Sequence, residues 1–121
     1  MTQRVFVADD ELKVRQALRL LLEQAGFAII GEANDAESML AQVCLSPPDI
    51  ILLDWELHGL KPQHHLPAIR EYCSGSKVVV LSVHPEAHLN SMALGADAFI
   101  SKGNPSDELL TVLCAMTEDG E

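Results

Sequence analysis

The sequence predicts a doubly wound α/β fold, a five-stranded parallel sheet covered on both faces by five helices. Two observations carry this reading. Short apolar runs alternate with longer segments of helical periodicity along the 121 residues, with Gly or Pro at most junctions. Two of the runs, Asp49 to Asp54 (DIILLD) and Lys77 to Val83 (KVVVLSV), are too hydrophobic to leave one face in water. Right-handed crossovers between successive parallel strands then place helices on both faces of the sheet.

The elements follow in order. Arg4 to Ala8 (RVFVA) is the first strand, and Val14, Leu18, Leu21 and Ala25 then recur at helical spacing until Gly26 stops the helix. Phe27 to Gly31 (FAIIG) is the second strand. Asn34, with Glu37 three residues on, has the pattern of a capping box opening a helix through Cys44. After Pro47-Pro48 comes the third strand, Asp49 to Asp54, then a helix expected from Pro62 or Gln63 to Ser74-Gly75. Lys77 to Val83 is the fourth strand, and Pro85 suits the first position of a fourth helix ending at Gly95. Ala98 to Ser101 is the fifth strand. Asn104-Pro105 is expected to cap the last helix, whose stripe of Leu109, Val112, Leu113 and Met116 reads as core, and Glu118 to Glu121 reads as an acidic tail.

Composition narrows the function. A chain of this length with 48% apolar and 21% charged residues fits one globular domain. The formal net charge of −10 argues against a direct grip on a nucleic-acid backbone, so DNA contact would require a separate domain. No apolar run approaches the roughly 18 residues of a membrane span, and Asp9 and Asp10 come too early for a signal peptide. A cytoplasmic location is expected. Cys44, Cys73 and Cys114 are odd in number and far apart, which suggests reduced, mostly buried thiols and neither a disulfide framework nor a zinc site.

In doubly wound folds ligands bind beyond the C-terminal strand ends. Those ends carry Asp9 and Asp10 after the first strand, Asp54 after the third, Ser82 after the fourth and Lys102 after the fifth. Taken singly, each has a commoner explanation: a helix N-cap, a loop acid, a satisfied hydroxyl, a solvated charge. Together they are harder to dismiss, because two carboxylates about 4 Å apart repel by on the order of 4 kcal/mol at an effective dielectric near 20. A cation must offset this, and oxygen-only ligands select a hard ion such as Mg²⁺, which takes one or two carboxylates plus waters and phosphate oxygens. Lys102 would supply a point charge to a phosphoryl oxygen and Ser82 a donor, leaving Asp54 as the nucleophile.

The runs VADD, DIILLDW, VVVLSV and GADAFISK, at these spacings over nearly the whole chain, resemble the receiver domains of bacterial response regulators. VRQALRLLLEQ and LGADAFISKG resemble most closely receivers whose parent proteins carry a helix-turn-helix DNA-binding domain. The resemblance implies the flavodoxin-like strand order 2-1-3-4-5 and a receiver over residues 1–117, with 118–121 as tail or linker. It implies Asp10 and Asp54 as direct Mg²⁺ ligands, Asp9 as an acid acting through water, and the main-chain carbonyl of Glu56 as a further ligand. Asp54 is by the same resemblance the phosphorylation site, Lys102 the phosphate-binding lysine, Ser82 the switch hydroxyl, and Phe99 the aromatic that rotates on activation. The implied partner is a sensor histidine kinase, with homodimerisation and a transcriptional output as further expectations; the chain would be a phosphoacceptor catalysing its own phosphotransfer and dephosphorylation, not an enzyme acting on other substrates. His58, Pro62 and Gly103 depart from the family's usual proline, glycine and proline, and Val83 stands where a smaller residue is usual.

Three rivals carry less. An aspartyl-nucleophile phosphatase would need a second acid and an inserted substrate cap, and no such insertion is visible. A flavodoxin-like cofactor module would need glycines in the first strand–helix turn, which is acidic here. A degenerate receiver acting only by interaction is opposed by the complete set of Asp9, Asp10, Asp54, Ser82 and Lys102. His84 and His88, four apart near Glu56, have a metal-ligand spacing, but solvated or hydrogen-bonded histidines are the commoner outcome, and the same holds for His64 and His65.

Overall fold

The computed structural model describes residues 2–103 and 106–119. Five strands, β1 (Arg4–Ala8), β2 (Ala28–Ala33), β3 (Ile50–Asp54), β4 (Lys77–Ser82) and β5 (Ala98–Ser101), form one parallel sheet in the order β2-β1-β3-β4-β5. They alternate with α1 (Leu12–Gln24), α2 (Ala36–Leu45), α3 (Pro62–Tyr72), α4 (Ala87–Ala93) and α5 (Ser106–Asp119). Strand order reverses between β1 and β3, so the C-terminal ends of these two strands meet at the switch point.

The two-residue period of a strand sends alternate side chains to opposite faces. Phe6, Ala8, Ile51, Leu53, Val78 and Val80 therefore join Met39, Val43, Leu66 and Ile69 of α2 and α3 on one side. Val5, Val7, Ile50, Leu52, Val79 and Leu81 meet Leu22, Leu109 and Leu113 of α1 and α5 on the other. All five residues of β3 are buried, as its unbroken apolar run requires. The expected α5 stripe is core, with Leu109 and Leu113 buried and Val112 and Met116 packed at its margin.

Gly26 ends α1 with φ 94°, a left-handed conformation that only glycine adopts without strain. Gly31 serves a different need: a Cβ there would lie 2.7 Å from the Phe6 ring, beside a register shift between Val5 and Phe6.

Several expectations require correction. β2 runs to Ala33, two residues past Gly31, and Phe27 is buried just ahead of it. The cap of α2 is Asp35, not Asn34: its backbone is extended and its Oδ1 accepts from Ser38 N–H at 2.7 Å, so Glu37 sits in the first turn rather than closing a capping box. Pro85 lies in a turn two residues before α4, where Ala87 N–H bonds back to the His84 carbonyl at 3.1 Å and delays the helix. α5 continues to Asp119, so the first acids of the expected tail are helical. Asn104-Pro105 lies outside the described residues. Cys73 is buried and donates to the Val43 carbonyl at 3.4 Å, but Cys44 and Cys114 are exposed, contrary to the expectation of mostly buried thiols. No helix among the described residues is long and apolar enough to cross a membrane.

Candidate functional site at the strand ends

β1, β3, β4 and β5 deliver Asp9, Asp10, Asp54, Ser82 and Lys102 to one edge of the sheet. Asp9, Asp54 and Ser82 are buried, and Asp10 is exposed. The Lys102 ammonium lies between two carboxylates, 2.9 Å from Asp9 Oδ2 and 3.1 Å from Asp54 Oδ1. Asp54 Oδ1 also accepts from Glu56 N–H at 2.9 Å, and Asp9 Oδ1 from Glu11 N–H at 2.9 Å. Asp9 Oδ2 is buried with no aligned hydrogen bond, so the neighbouring ammonium is its only counterweight among the described contacts.

The three acids do not crowd into one cluster. Asp10 turns to the loop after β3, where its Oδ1 accepts from His58 N–H at 2.8 Å. The His58 carbonyl in turn accepts from Ala36 N–H at 2.9 Å, which ties that loop to the start of α2. The repulsion expected between carboxylates is thus partly offset by the chain's own lysine. No group of three or more His, Cys, Asp or Glu side chains arranged to hold a metal occurs among the described residues.

Electrostatics follow from this geometry. Burial pushes the Asp54 carboxyl above its ordinary value; the Glu56 N–H opposes the shift, the Asp9 charge adds to it, and Lys102 opposes it. For Lys102, burial acts to lower the pKa, but its hydrogen bond to Asp9 and the Asp54 and Asp9 carboxylates outweigh burial and leave it raised. One ammonium is shared by two acids, which holds it in its charged form, while at Asp54 burial outweighs what the shared ammonium gives back.

Ser82 and Phe99 stand on the neighbouring β4 and β5. Ser82 Oγ donates to Glu56 Oε2 at 2.8 Å and accepts from His84 N–H at 3.0 Å. Phe99 is partly buried, and the His88 ring stacks on it with centroids 5.0 Å apart and planes within 7°. His84 instead pairs with Glu86 at 3.6 Å, so the two imidazoles face different partners. His65 is buried, and its Nδ1 accepts from Lys61 N–H at 2.9 Å, closing the first turn of α3.

Two contributors were not visible in the sequence. Arg15, one turn into α1, donates to the Asp9 carbonyl at 2.7 Å while its Nε pairs with Glu32 at 3.1 Å, bracing the β1 end against β2. The Glu56 side chain reaches Ser82 across the β3 and β4 ends.

Residues 5–114 match the response regulator receiver domain family. The chain belongs to this family. Among proteins similar to this receiver, the phosphate regulon transcriptional regulatory protein PhoB of Klebsiella pneumoniae is 29% identical over 120 residues, covering 96% of the chain and 52% of that protein. The nitrate/nitrite response regulator protein NarL of Escherichia coli is 29% identical over 112 residues, covering 90% and 52%. The receiver thus spans about half the length of these curated relatives. A LuxR-family two-component response regulator from an Aurantimonas species superposes with TM-score 0.88 at 26% identity, over 96% of this chain and 85% of that one.

Proposed function

We propose that this receiver accepts a phosphoryl group on Asp54 in a Mg²⁺-dependent reaction and passes the change to its α4-β5-α5 face. The observation that carries the reading is the buried Asp54 carboxylate paired with Lys102 at the switch point of the sheet.

The donor set is all oxygen, as a hard cation prefers: Asp9, Asp10, Asp54 and the Glu56 carbonyl would hold Mg²⁺, with Asp10 giving up its bond to His58 N–H to do so. Asp9 Oδ2, buried with the Lys102 ammonium beside it but no aligned hydrogen bond, is the kind of oxygen that a hydrated cation would further satisfy. When bound, the ion offsets carboxylate charge and neutralises the transferring phosphoryl group. Lys102 and Glu56 N–H hold Asp54 Oδ1, leaving Oδ2 to attack phosphorus in line. With a phosphohistidine donor the P–N bond breaks, the leaving imidazole takes up a proton, and Oδ2 carries the phosphoryl group. Lys102 then turns to a phosphoryl oxygen, and Ser82 supplies a hydroxyl donor. Water later attacks phosphorus, the acyl–phosphate bond breaks, and inorganic phosphate leaves as the Asp54 carboxylate is regenerated.

A sensor histidine kinase is the implied donor, and the output is transcriptional, as the name of the PhoB relative suggests, through a DNA-binding domain outside this chain. The net charge of −10 fits that division, with DNA contact left to another domain; a cytoplasmic setting and homodimerisation of the activated receiver as the coupling step complete the reading. The test is intact-mass measurement over time with a small acyl phosphate, with Mg²⁺ or with a chelator. One phosphoryl adduct forming only with Mg²⁺ is expected; equal incorporation in chelator would contradict the metal assignment.

A further inference from the structure

Ser82 has a single proton, and in this structure it is already committed. The hydroxyl is buried, donates to Glu56 Oε2 at 2.8 Å and accepts His84 N–H at 3.0 Å, while Glu56 itself lies at the surface. We propose that the Glu56 carboxylate is a latch on the switch: it competes with an Asp54-bound phosphoryl group for the Ser82 hydroxyl and holds the receiver in its resting state. The proposal rests on the phosphoacceptor reading above and deepens it.

Two physical arguments support the competition. A hydroxyl donating to a carboxylate forms a charge-assisted bond, stronger than one to a neutral acceptor, and breaking it opposes any state in which Ser82 donates elsewhere. The phosphoryl group is itself a charged acceptor, so the exchange is between near equals and the latch sets the balance rather than blocking it. Glu56 follows Asp54 by two residues, and its N–H already holds Asp54 Oδ1, so phosphoacceptor and latch sit on one short loop. Glu56 therefore acts through Ser82 as a positioning residue, with a main-chain role in the metal shell that side-chain substitution leaves in place.

The experiment measures affinity for a beryllofluoride mimic in Mg²⁺ saturating for each variant, so that the metal site is filled in all of them. Glu56→Ala is expected to bind the mimic on the order of tenfold more tightly, with Glu56→Gln between it and the wild type. In a Ser82→Ala background Glu56→Ala should have no further effect, because the contact it removes no longer exists. Unchanged or weaker mimic binding in Glu56→Ala would overturn the latch alone. A gain that persists without the Ser82 hydroxyl would also overturn it, pointing instead to plain charge repulsion. Mimic binding that survives Asp54→Asn would overturn the phosphoacceptor reading, and the latch with it.

Discussion

Burial of Asp54 beside Asp9 determines how its charge contributes to stability. Its folded pKa lies above the unfolded value of about 3.9, so the stability it contributes is fully present below that pH and is lost as pH rises through the folded value. Asp54→Asn, which cannot ionise, should therefore be more stable than the wild type at neutral pH, with the gap widening as pH rises from about 4. Urea midpoints for both proteins across that range test this; a narrowing gap would contradict it. Lys102→Met acts in the opposite direction, because it strands two buried carboxylates, and should cost about 3 kcal/mol in the same assay. Val83 is 58% exposed, so it does not pack beneath α4. A stiff branched side chain directly after Ser82 is expected to hinder in-line approach to Asp54, so Val83→Ala should speed both phosphorylation by small donors and loss of the phosphoryl group while leaving the unfolding midpoint nearly unchanged. Loss of stability with unchanged rates would contradict this reading. The five polar residues at the strand ends were legible because each closes a strand or follows one within two residues, and strands announce themselves by apolar runs. Arg15 and the Glu56 side chain were not, because their partners, the Asp9 carbonyl and Ser82 Oγ, are set by tertiary packing that leaves no local pattern.

At the scale of elements, helix starts were the weakest part of the reading for a physical reason. Asn34 and Asp35 are both good caps, and the choice depends on where β2 ends; pairing with β1 carries β2 to Ala33, and Ala36 N–H is taken by the His58 carbonyl. Asp35→Ala should thus cost about 1 kcal/mol and Asn34→Ala clearly less, judged by thermal or urea unfolding. Equal losses would contradict the assigned cap. Pro85 pointed to a helix start that the structure places two residues later, since proline suits a first helical turn and a preceding turn alike. Cysteine burial was misjudged because residue type speaks only to average burial: Cys44 falls on the outer face of α2, while Cys73 closes α3 against Val43.

For the molecule as a whole, the doubly wound fold class was legible because it follows from alternation, handedness and apolar runs, while the order β2-β1-β3-β4-β5 came from the family resemblance alone. In the proposed switch, Ser82 and the Phe99–His88 stack would link the Asp54 edge to the face formed by α4, β5 and α5. Phosphorylation or a beryllofluoride mimic should change hydrogen exchange in residues 86–94 and 98–113 more than in 37–44; uniform change would argue against a directed switch. All of this depends on an acyl phosphate at one residue, and borohydride reduction tests that most directly, because it converts an aspartyl phosphate to homoserine. After incubation with a small acyl phosphate and Mg²⁺, peptide mass mapping should place homoserine at position 54 and nowhere else. Homoserine at Asp9 or Asp10, or its absence despite a phosphoryl adduct on the intact protein, would contradict the account.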